Sequence, residues 1–374
     1  MSTDLTPNPS LRDLTAAGVS VWLDDLDRNR ITSGQLASMI EVDSVHGVTT
    51  NPTIFDKAIS GGAEAYASQL TDLARHGASV DEIIRALTTD DVRSACDIFT
   101  EVYDTSGHDD GRVSIEVDPR LAHDTDGTIS QARELWRLVD RPNALIKIPA
   151  TPEGLPAITE VIGSGISVNV TLIFSVERYL DVVRAYVAGL ELAHERGHDI
   201  RTIRSVASFF ISRIDTEVDA RLRALDTADA QALHGQAAIA TGRLVWEEHE
   251  RSLEEPRWLA LAEVGASPQR PLWASTGVKD PAMPPTRYVL ELVVDGCVNT
   301  MPEATLRAVA DNGPVPEDTV SGTAAASAEV WKSLERLGIK QDDVSETLER
   351  EGVAKFIESW QQLLNTVATA AQEV

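Results

Sequence analysis

Cysteine is scarce in this chain, since Cys96 and Cys297 are the only two among 374 residues. So few cysteines form neither a disulfide framework nor a metal-binding spacing, and a reducing cytoplasm is the simplest location. Long apolar runs are missing as well, because no stretch reaches the roughly 18 residues that a membrane-spanning helix needs. The start of the chain lacks a signal-peptide pattern. We therefore predict a cytoplasmic protein that does not enter a membrane.

Positive charge is also in short supply, with 33 Lys and Arg against 59 Asp and Glu and a formal net charge of -26. So acidic a surface argues against nucleic acid and anionic membranes as partners. Any anionic substrate then needs a local basic pocket. The hydrophobic fraction of 43% is ample for a packed core, in one large α/β barrel or in two ordinary domains.

Short apolar segments alternate with helical stretches along most of the chain, a pattern typical of an α/β fold with a parallel sheet. The predicted strands are residues 19–24, 47–51, 113–118, 144–150, 166–172, 205–211, 272–276 and 297–301. Eight strands over about 300 residues suit a (β/α)8 TIM barrel. We expect one domain over residues 1–374, with a loose arm at 1–14.

Helical periodicity fills the gaps between these strands. A capping box at Ser79 and Glu82 predicts a helix running toward Tyr103. Helices are also expected at 130–139 and 176–195, with several more in 52–112 and 216–270. Residues 303–374 form a helical C-terminal part with a break around 313–316. In it, Phe356 and Trp360 are spaced to share one packing face.

One lysine stands in an otherwise apolar predicted strand, Ala144-Leu145-Ile146-Lys147-Ile148-Pro149-Ala150. An ammonium group is costly to bury, and burial favours the neutral amine, which is a nucleophile. Strand alternation places Lys147 on the face opposite Ile146 and Ile148. The chemistry therefore depends on what else shares the face of Lys147.

Other predicted strands have a branched apolar face and a polar face. In a barrel the branched faces suit the helix layer, and the polar faces point to the interior, toward the strand ends where active sites lie. The polar residues concerned are Asp24, Asn51, Glu116, Asn169 and Thr171, and Trp22 is expected to pack in the barrel mouth. There are two alternatives. One is an antiparallel sheet with its polar face in water. The other is a barrel interior whose polar groups are all hydrogen-bonded and have no catalytic role. Because buried ion pairs add little stability, this combination favours catalysis.

Five segments in order resemble the transaldolase family in its longer bacterial form. They are Gly47-Val48-Thr49-Thr50-Asn51-Pro52-Thr53-Ile54-Phe55, Ser114-Ile115-Glu116-Val117-Asp118, Leu145-Ile146-Lys147-Ile148-Pro149-Ala150-Thr151, Asn169-Val170-Thr171-Leu172-Ile173-Phe174-Ser175 and Ser208-Phe209-Phe210-Ile211-Ser212-Arg213-Ile214-Asp215. The resemblance implies a (β/α)8 enzyme of the pentose phosphate pathway, without metal or organic cofactor. Such an enzyme moves a dihydroxyacetone unit from sedoheptulose 7-phosphate to glyceraldehyde 3-phosphate, giving erythrose 4-phosphate and fructose 6-phosphate.

The resemblance also implies roles for individual residues. It makes Lys147 the Schiff-base lysine, Asp24 the proton carrier, Glu116 and Thr171 the holders of the reacting water, Asn51 and Asn169 the dihydroxyacetone ligands, Ser208 and Arg213 the phosphate ligands, and Phe210 a pocket wall. This agrees with the residue chemistry, because an imine accepts the electrons of a breaking aldol bond and a carboxylate must then move the proton.

The sequence departs from the family after the seventh strand. Where the family often has Ala-Ser-Phe-Arg, this chain has Ala274-Ser275-Thr276-Gly277-Val278-Lys279. Lys279 is a candidate substitute that meets phosphate as a point charge, without the bidentate geometry of arginine. A second ambiguity lies between two adjacent carboxylates, and alternation favours Asp24 over Asp25 for the interior.

Two other functions remain open from sequence. One is a Schiff-base aldolase that acts on fructose 6-phosphate or a related phosphosugar and releases dihydroxyacetone. The other is a non-catalytic phosphosugar-binding barrel. In either case the partners are phosphorylated sugars, and the protein is a monomer or a homodimer. His194 and His198, spaced four residues apart at a helix end, are expected to be solvated and not to bind metal.

Overall fold

The computed structural model describes residues 6–372, in which eight parallel strands close into a barrel in chain order. The strands are β1 (Ser20–Leu23), β2 (Gly47–Val48), β3 (Arg112–Glu116), β4 (Ala144–Pro149), β5 (Val168–Ile173), β6 (Ser205–Phe210), β7 (Arg270–Ala274) and β8 (Val298–Met301). Each lies at the position predicted from sequence. The expected (β/α)8 TIM barrel is therefore confirmed.

The register of the strands decides which side chains share a level of the barrel interior. Glu116 at the end of β3 pairs with Lys147 of β4, and Lys147 pairs with Asn169 of β5. Ile146 and Ile148 alternate with the lysine and are fully buried in the hydrophobic core. The branched faces thus meet the helix layer, which leaves the polar residues to the interior.

Helices surround the barrel and cover its carboxyl-terminal end. In the described residues they are α1 (Pro9–Ala16), α2 (Arg28–Thr32), α3 (Gln35–Asp43), α4 (Pro52–Gly61), α5 (Ala63–Arg75), α6 (Val80–Ile98), α7 (Thr100–Thr105), α8 (Thr125–Val139), α9 (Gly154–Ile162), α10 (Val176–Glu195), α11 (Ser212–Leu225), α12 (Ala228–Ala232), α13 (Ala237–Ser252), α14 (Pro256–Glu263), α15 (Arg287–Leu290), α16 (Glu303–Ala310), α17 (Ala324–Arg336) and α18 (Gln341–Gln372). None of these helices combines the length and apolarity needed to cross a membrane.

The capping box predicted at Ser79 is present and starts α6. Its two halves are a Glu82 amide that donates to the serine hydroxyl and a Glu82 carboxylate that accepts from the Ser79 amide at 2.7 Å. The helix expected to reach Tyr103 is divided, because α6 ends at Ile98 and α7 begins at Thr100.

The prediction of a loose arm over residues 1–14 is wrong from residue 9 onward. Residues 1–5 lie outside the described part, but α1 begins at Pro9 with Asn8 as its cap, and Leu11 and Leu14 are completely buried. The Asn8 side chain also donates to the carbonyl of Ala310 at 3.2 Å, which ties the start of the chain to α16. An Asn-Pro pair is a helix-start signal that the sequence contained.

The C-terminal part is helical as predicted, with α16, α17 and α18 separated by two breaks. The first break, at 311–323, is wider than the predicted one, and a second lies at 337–340. Residues 373 and 374 fall outside the described part. The long α18 packs against α4, α6, α11 and β5. A hydrogen bond of 2.7 Å between the hydroxyls of Thr53 and Ser359 joins α18 to α4.

Trp22 does not lie in the barrel mouth, contrary to the prediction. Its indole donates at 3.0 Å to Asp110, two residues before β3 begins. Asp110 also accepts from Ser20 at 2.6 Å and pairs with Arg270 at 3.2 Å. These residues fill the amino-terminal end of the barrel, the end that stabilises such folds and does not carry their active sites.

Candidate active site

A cavity of about 270 Å³ opens at the carboxyl-terminal end of the barrel. Its lining includes seven of the ten residues predicted for the site: Asp24, Asn51, Lys147, Ser208, Phe210, Arg213 and Lys279. The other three, Glu116, Asn169 and Thr171, are buried on the neighbouring strands β3 and β5. The structure therefore brings all ten residues to one end of the barrel.

Lys147 lies at the floor of this cavity with only 4% of its surface exposed. Its ammonium nitrogen donates to the carbonyl of Thr50 at 3.1 Å and lies 3.4 Å from Oε2 of Glu116. One carbonyl and one carboxylate leave part of the ammonium's hydrogen-bonding capacity unused. The amine thus has room to react with a ligand in the cavity.

Glu116 is the carboxylate nearest to Lys147. Burial raises its pKa to about 7, and the attraction of the Lys147 ammonium only partly offsets this cost. Its Oε2 makes no hydrogen bond within residues 6–372. A carboxylate in such surroundings exchanges protons near neutral pH, which is the property required of a general acid or base.

Asp24 follows β1 directly and lines the cavity. It accepts a hydrogen bond of 2.7 Å from the hydroxyl of Thr49, and desolvation raises its pKa, opposed mainly by the charge of Lys147. Asp25 instead pairs with Arg30 at 2.8 Å, away from the cavity. Of the two adjacent carboxylates, Asp24 is the one that faces the lysine.

A polar network fixes the amide of Asn169 beside the lysine. The amide nitrogen of Asn169 donates to Ser114 at 2.9 Å, and the hydroxyl of Ser208 donates to its oxygen at 2.7 Å. Nearby, the buried hydroxyl of Thr171 has no hydrogen-bond partner in the described part of the chain. Leu172 follows with a φ of 59°, a strained conformation at the point where the pairing of β5 with β6 shifts register.

Four cations meet at the cavity mouth: Lys57, Arg213, Lys279 and Lys355. Among residues 6–372, none of them has a carboxylate within 4.0 Å. Burial lowers the pKa of Lys279, and the charges of Lys355, Arg213 and Lys57 lower it further. In a chain with a net charge of -26, this opening is a local positive patch that suits an anionic ligand.

Sequence reasoning missed Lys57, Lys355 and Phe356, which also line the cavity. Lys57 could have been inferred from the sequence. It lies four residues after Thr53, which belongs to the segment 47–55 that resembles the family, and the two residues share one face of α4. Lys355 and Phe356 lie on α18, far along the chain from the barrel. Only the docking of that helix brings them to the mouth.

No group of three or more His, Cys, Asp or Glu side chains within residues 6–372 is arranged to hold a metal ion. His194 lies in the last turn of α10 and is exposed, as is His198 just beyond it. Cys96 and Cys297 are buried and unbridged.

A closed parallel barrel with a lysine and two carboxylates at the carboxyl ends of its strands defines a (β/α)8-barrel enzyme. The chain belongs to the transaldolase/fructose-6-phosphate aldolase family, whose model matches residues 21–367.

The curated sequences to which the chain is similar are named transaldolases. It is 58% identical to a transaldolase of Saccharopolyspora erythraea, over 97% of this chain and 98% of the relative. It is 59% identical to transaldolase 1 of Streptomyces avermitilis, over 96% of this chain and 95% of the relative. It is 57% identical to a transaldolase of Mycolicibacterium smegmatis, over 96% and 97%.

Proposed function

We propose that the protein is a transaldolase of the pentose phosphate pathway. It would transfer a dihydroxyacetone unit from sedoheptulose 7-phosphate to glyceraldehyde 3-phosphate, giving erythrose 4-phosphate and fructose 6-phosphate. The observation that carries this proposal is the placement of Lys147, buried at the cavity floor with Glu116 at 3.4 Å and Asp24 on the same cavity wall.

The reaction begins when the Lys147 amine attacks the ketone carbon of the donor sugar. Loss of water then gives an imine. Glu116 and Thr171 hold that water, since the buried Oε2 and Oγ1 atoms of these residues make no hydrogen bond within residues 6–372. Asp24 takes the hydroxyl proton as the carbon–carbon bond breaks, and the bonding electrons move into the imine to form an enamine. The aldehyde formed by this cleavage, erythrose 4-phosphate, leaves the site. The enamine carbon then attacks the carbonyl carbon of the acceptor aldehyde and forms the new carbon–carbon bond, and Asp24 returns the proton to the resulting alkoxide oxygen. Water then hydrolyses the imine and frees the product and the lysine.

The remaining site residues hold the substrate during these steps. Asn51 and Asn169 would bind the hydroxyls of the dihydroxyacetone part, and Phe210 would form an apolar wall. Arg213 and Ser208 would bind the phosphate, with Lys279, Lys57 and Lys355 adding positive charge at the mouth. Lysine supplies this charge without the fixed two-point geometry of arginine, so a cluster of lysines suits phosphates of varying position.

An aldolase would follow the same steps up to the enamine and then protonate it, releasing dihydroxyacetone. The family name covers both activities, whereas the similar sequences are named transaldolases, which favours transfer. A non-catalytic binding barrel fits the site less well. Buried polar atoms without partners are costly, and binding alone gives no reason to keep them next to a lysine.

Borohydride trapping tests the Schiff base directly. Reduction in the presence of fructose 6-phosphate should fix the sugar on Lys147, as seen by mass spectrometry of the digested protein. Lys147→Ala should fold like the original protein, form no adduct and show no turnover. An adduct on another lysine, or unchanged turnover of this variant, would refute the assignment.

A second assay separates transferase from aldolase. Fructose 6-phosphate is mixed with the enzyme with and without erythrose 4-phosphate, and the products of both mixtures are measured. Rapid turnover should require the acceptor. Equally rapid turnover without acceptor would favour the aldolase.

We also propose a cytoplasmic location, supported by the two buried, unbridged cysteines. We propose that the protein acts as a monomer or a homodimer. Size-exclusion chromatography with light scattering measures the oligomeric state.

A further inference from the structure

Helix α18 approaches the barrel closely because one of its residues has no side chain. A Cβ atom at Gly352 would lie 3.0 Å from Cδ2 of Leu172 and 3.3 Å from Nη1 of Arg213, both tighter than ordinary packing. A larger residue would require Leu172, Arg213 or the helix itself to shift by a few tenths of an ångström. The glycine therefore permits the close approach of α18 that brings the following turn to the cavity mouth.

Phe356 lies one turn after Gly352 on the same helix face. Its ring lines the cavity, is 4% exposed, and has its centroid 5.9 Å from the Lys147 nitrogen and 5.9 Å from the Arg213 guanidinium carbon. No other aromatic ring in residues 6–372 lies over the lysine nitrogen at a comparable distance. Phe356 is thus the aromatic group that covers the reacting amine from outside the barrel.

The cavity walls that the barrel contributes around Lys147 are mixed in polarity. Asp24, Thr49 and Ser208 all present polar groups to the same space. The barrel strands and the segments that follow them also contribute apolar groups, from Phe210, Ala274 and Pro302. Phe210 packs edge-on against Phe174, with ring centroids 5.4 Å apart. The aromatic ring that lies over the lysine nitrogen itself is the one that α18 supplies.

We propose that Phe356 shields the enamine on Lys147 from bulk water entering at the cavity mouth and so makes the enzyme transfer the dihydroxyacetone unit instead of releasing it. The proposal rests on the transaldolase function proposed above. An unshielded enamine takes a proton from water at its nucleophilic carbon, and the resulting iminium ion is hydrolysed by a second water to dihydroxyacetone and free lysine. A shielded enamine persists until it reacts with the carbonyl carbon of an acceptor aldehyde. Closing a site against water is a recognised means of suppressing such side reactions.

The test compares two rates in each protein: dihydroxyacetone release from fructose 6-phosphate without acceptor, and transfer to erythrose 4-phosphate. Phe356→Ala should raise the ratio of release to transfer several-fold. Phe356→Leu, which stays apolar, should keep the ratio near that of the original protein. The matched control is Ile357→Ala on the same helix, since Ile357 is 38% exposed and points away from the cavity.

A merely structural role for Phe356 would lower both rates together and leave the ratio unchanged, and that result overturns the proposal. If Phe356→Ala does not fold, Phe356→Gln serves instead. It keeps most of the volume but adds a group that binds water, so it should also raise the ratio. Borohydride trapping on Lys147 distinguishes failure of the shielding proposal from failure of the proposed Schiff-base function. Adducts with an unchanged ratio refute only the shielding, whereas absence of any adduct in the original protein refutes the Schiff-base function.

Discussion

Replacing Glu116 by glutamine removes the carboxylate that lies 3.4 Å from the Lys147 nitrogen and keeps the size of the side chain. In the folded protein burial raises the pKa of Glu116 from 4.5 to about 7. The folded state therefore holds a proton on this group between those two pH values, where the unfolded chain has released it. By linkage, the stability that this group contributes is fully present below about pH 4.5 and is lost as the pH rises to about 7.

The size of the effect follows from the same shift. Each pH unit between the two pKa values is worth about 1.4 kcal/mol, so the difference between 4.5 and 7 corresponds to about 3 kcal/mol. Glu116→Gln has no such group to ionise. We expect the variant to gain about 3 kcal/mol of stability relative to the original protein between pH 4.5 and 8.

Urea denaturation at several pH values across this range measures the effect as a difference between the two proteins, in which titrating groups far from Glu116 cancel. Glu358→Gln, at an exposed position of α18, is the control and should follow the original protein at every pH. A difference between Glu116→Gln and the original protein that stays constant with pH would refute the account of Glu116 as a carboxyl held neutral by burial.

Two further predictions concern packing and the cavity mouth. Gly47→Ala should destabilise the protein by about 1–3 kcal/mol in urea, because its Cβ would lie 2.6 Å from the buried ring of Trp22; Gly61→Ala, with no atom within 4 Å, is the control and should not destabilise. A loss no larger for Gly47→Ala than for the control would contradict this packing. Lys279→Met should raise KM for fructose 6-phosphate several-fold with a smaller change in kcat, since it removes a charge from the mouth. Lys332→Met, at an exposed pair with Glu329, should change neither constant, and an equal effect of both variants would remove Lys279 from the phosphate site.

The barrel could be predicted because strand alternation is local. Strands β1, β3, β4 and β5 each have a branched apolar face that packs against helices, and in a closed parallel barrel the opposite face points inward. That rule alone placed Lys147 and Glu116 on one interior surface. It also separated Asp24 from Asp25, because adjacent residues of a strand face opposite ways.

The errors had other causes. Asn8 followed by Pro9 is a local helix-start signal, so the position of α1 is predictable from the sequence. Trp22 lies on the interior face of β1, as strand alternation requires. Alternation does not predict toward which end of the barrel axis an interior side chain is directed. Its direction follows from a hydrogen bond to Asp110, nearly 90 residues away in the chain.

The sequence by itself determined the fold class, the strand positions and the identity of the buried lysine, because these depend on periods of two and 3.6 residues and on the cost of burying charge. Only the tertiary structure decided how the mouth is closed. Lys355 and Phe356 lie some 200 residues after Lys147, on a helix that packs against α4, α6, α11 and β5, with close approach at Gly352 and a hydrogen bond between Thr53 and Ser359. Such contacts join surfaces that no local pattern connects, and they bring Phe356 over the amine of Lys147.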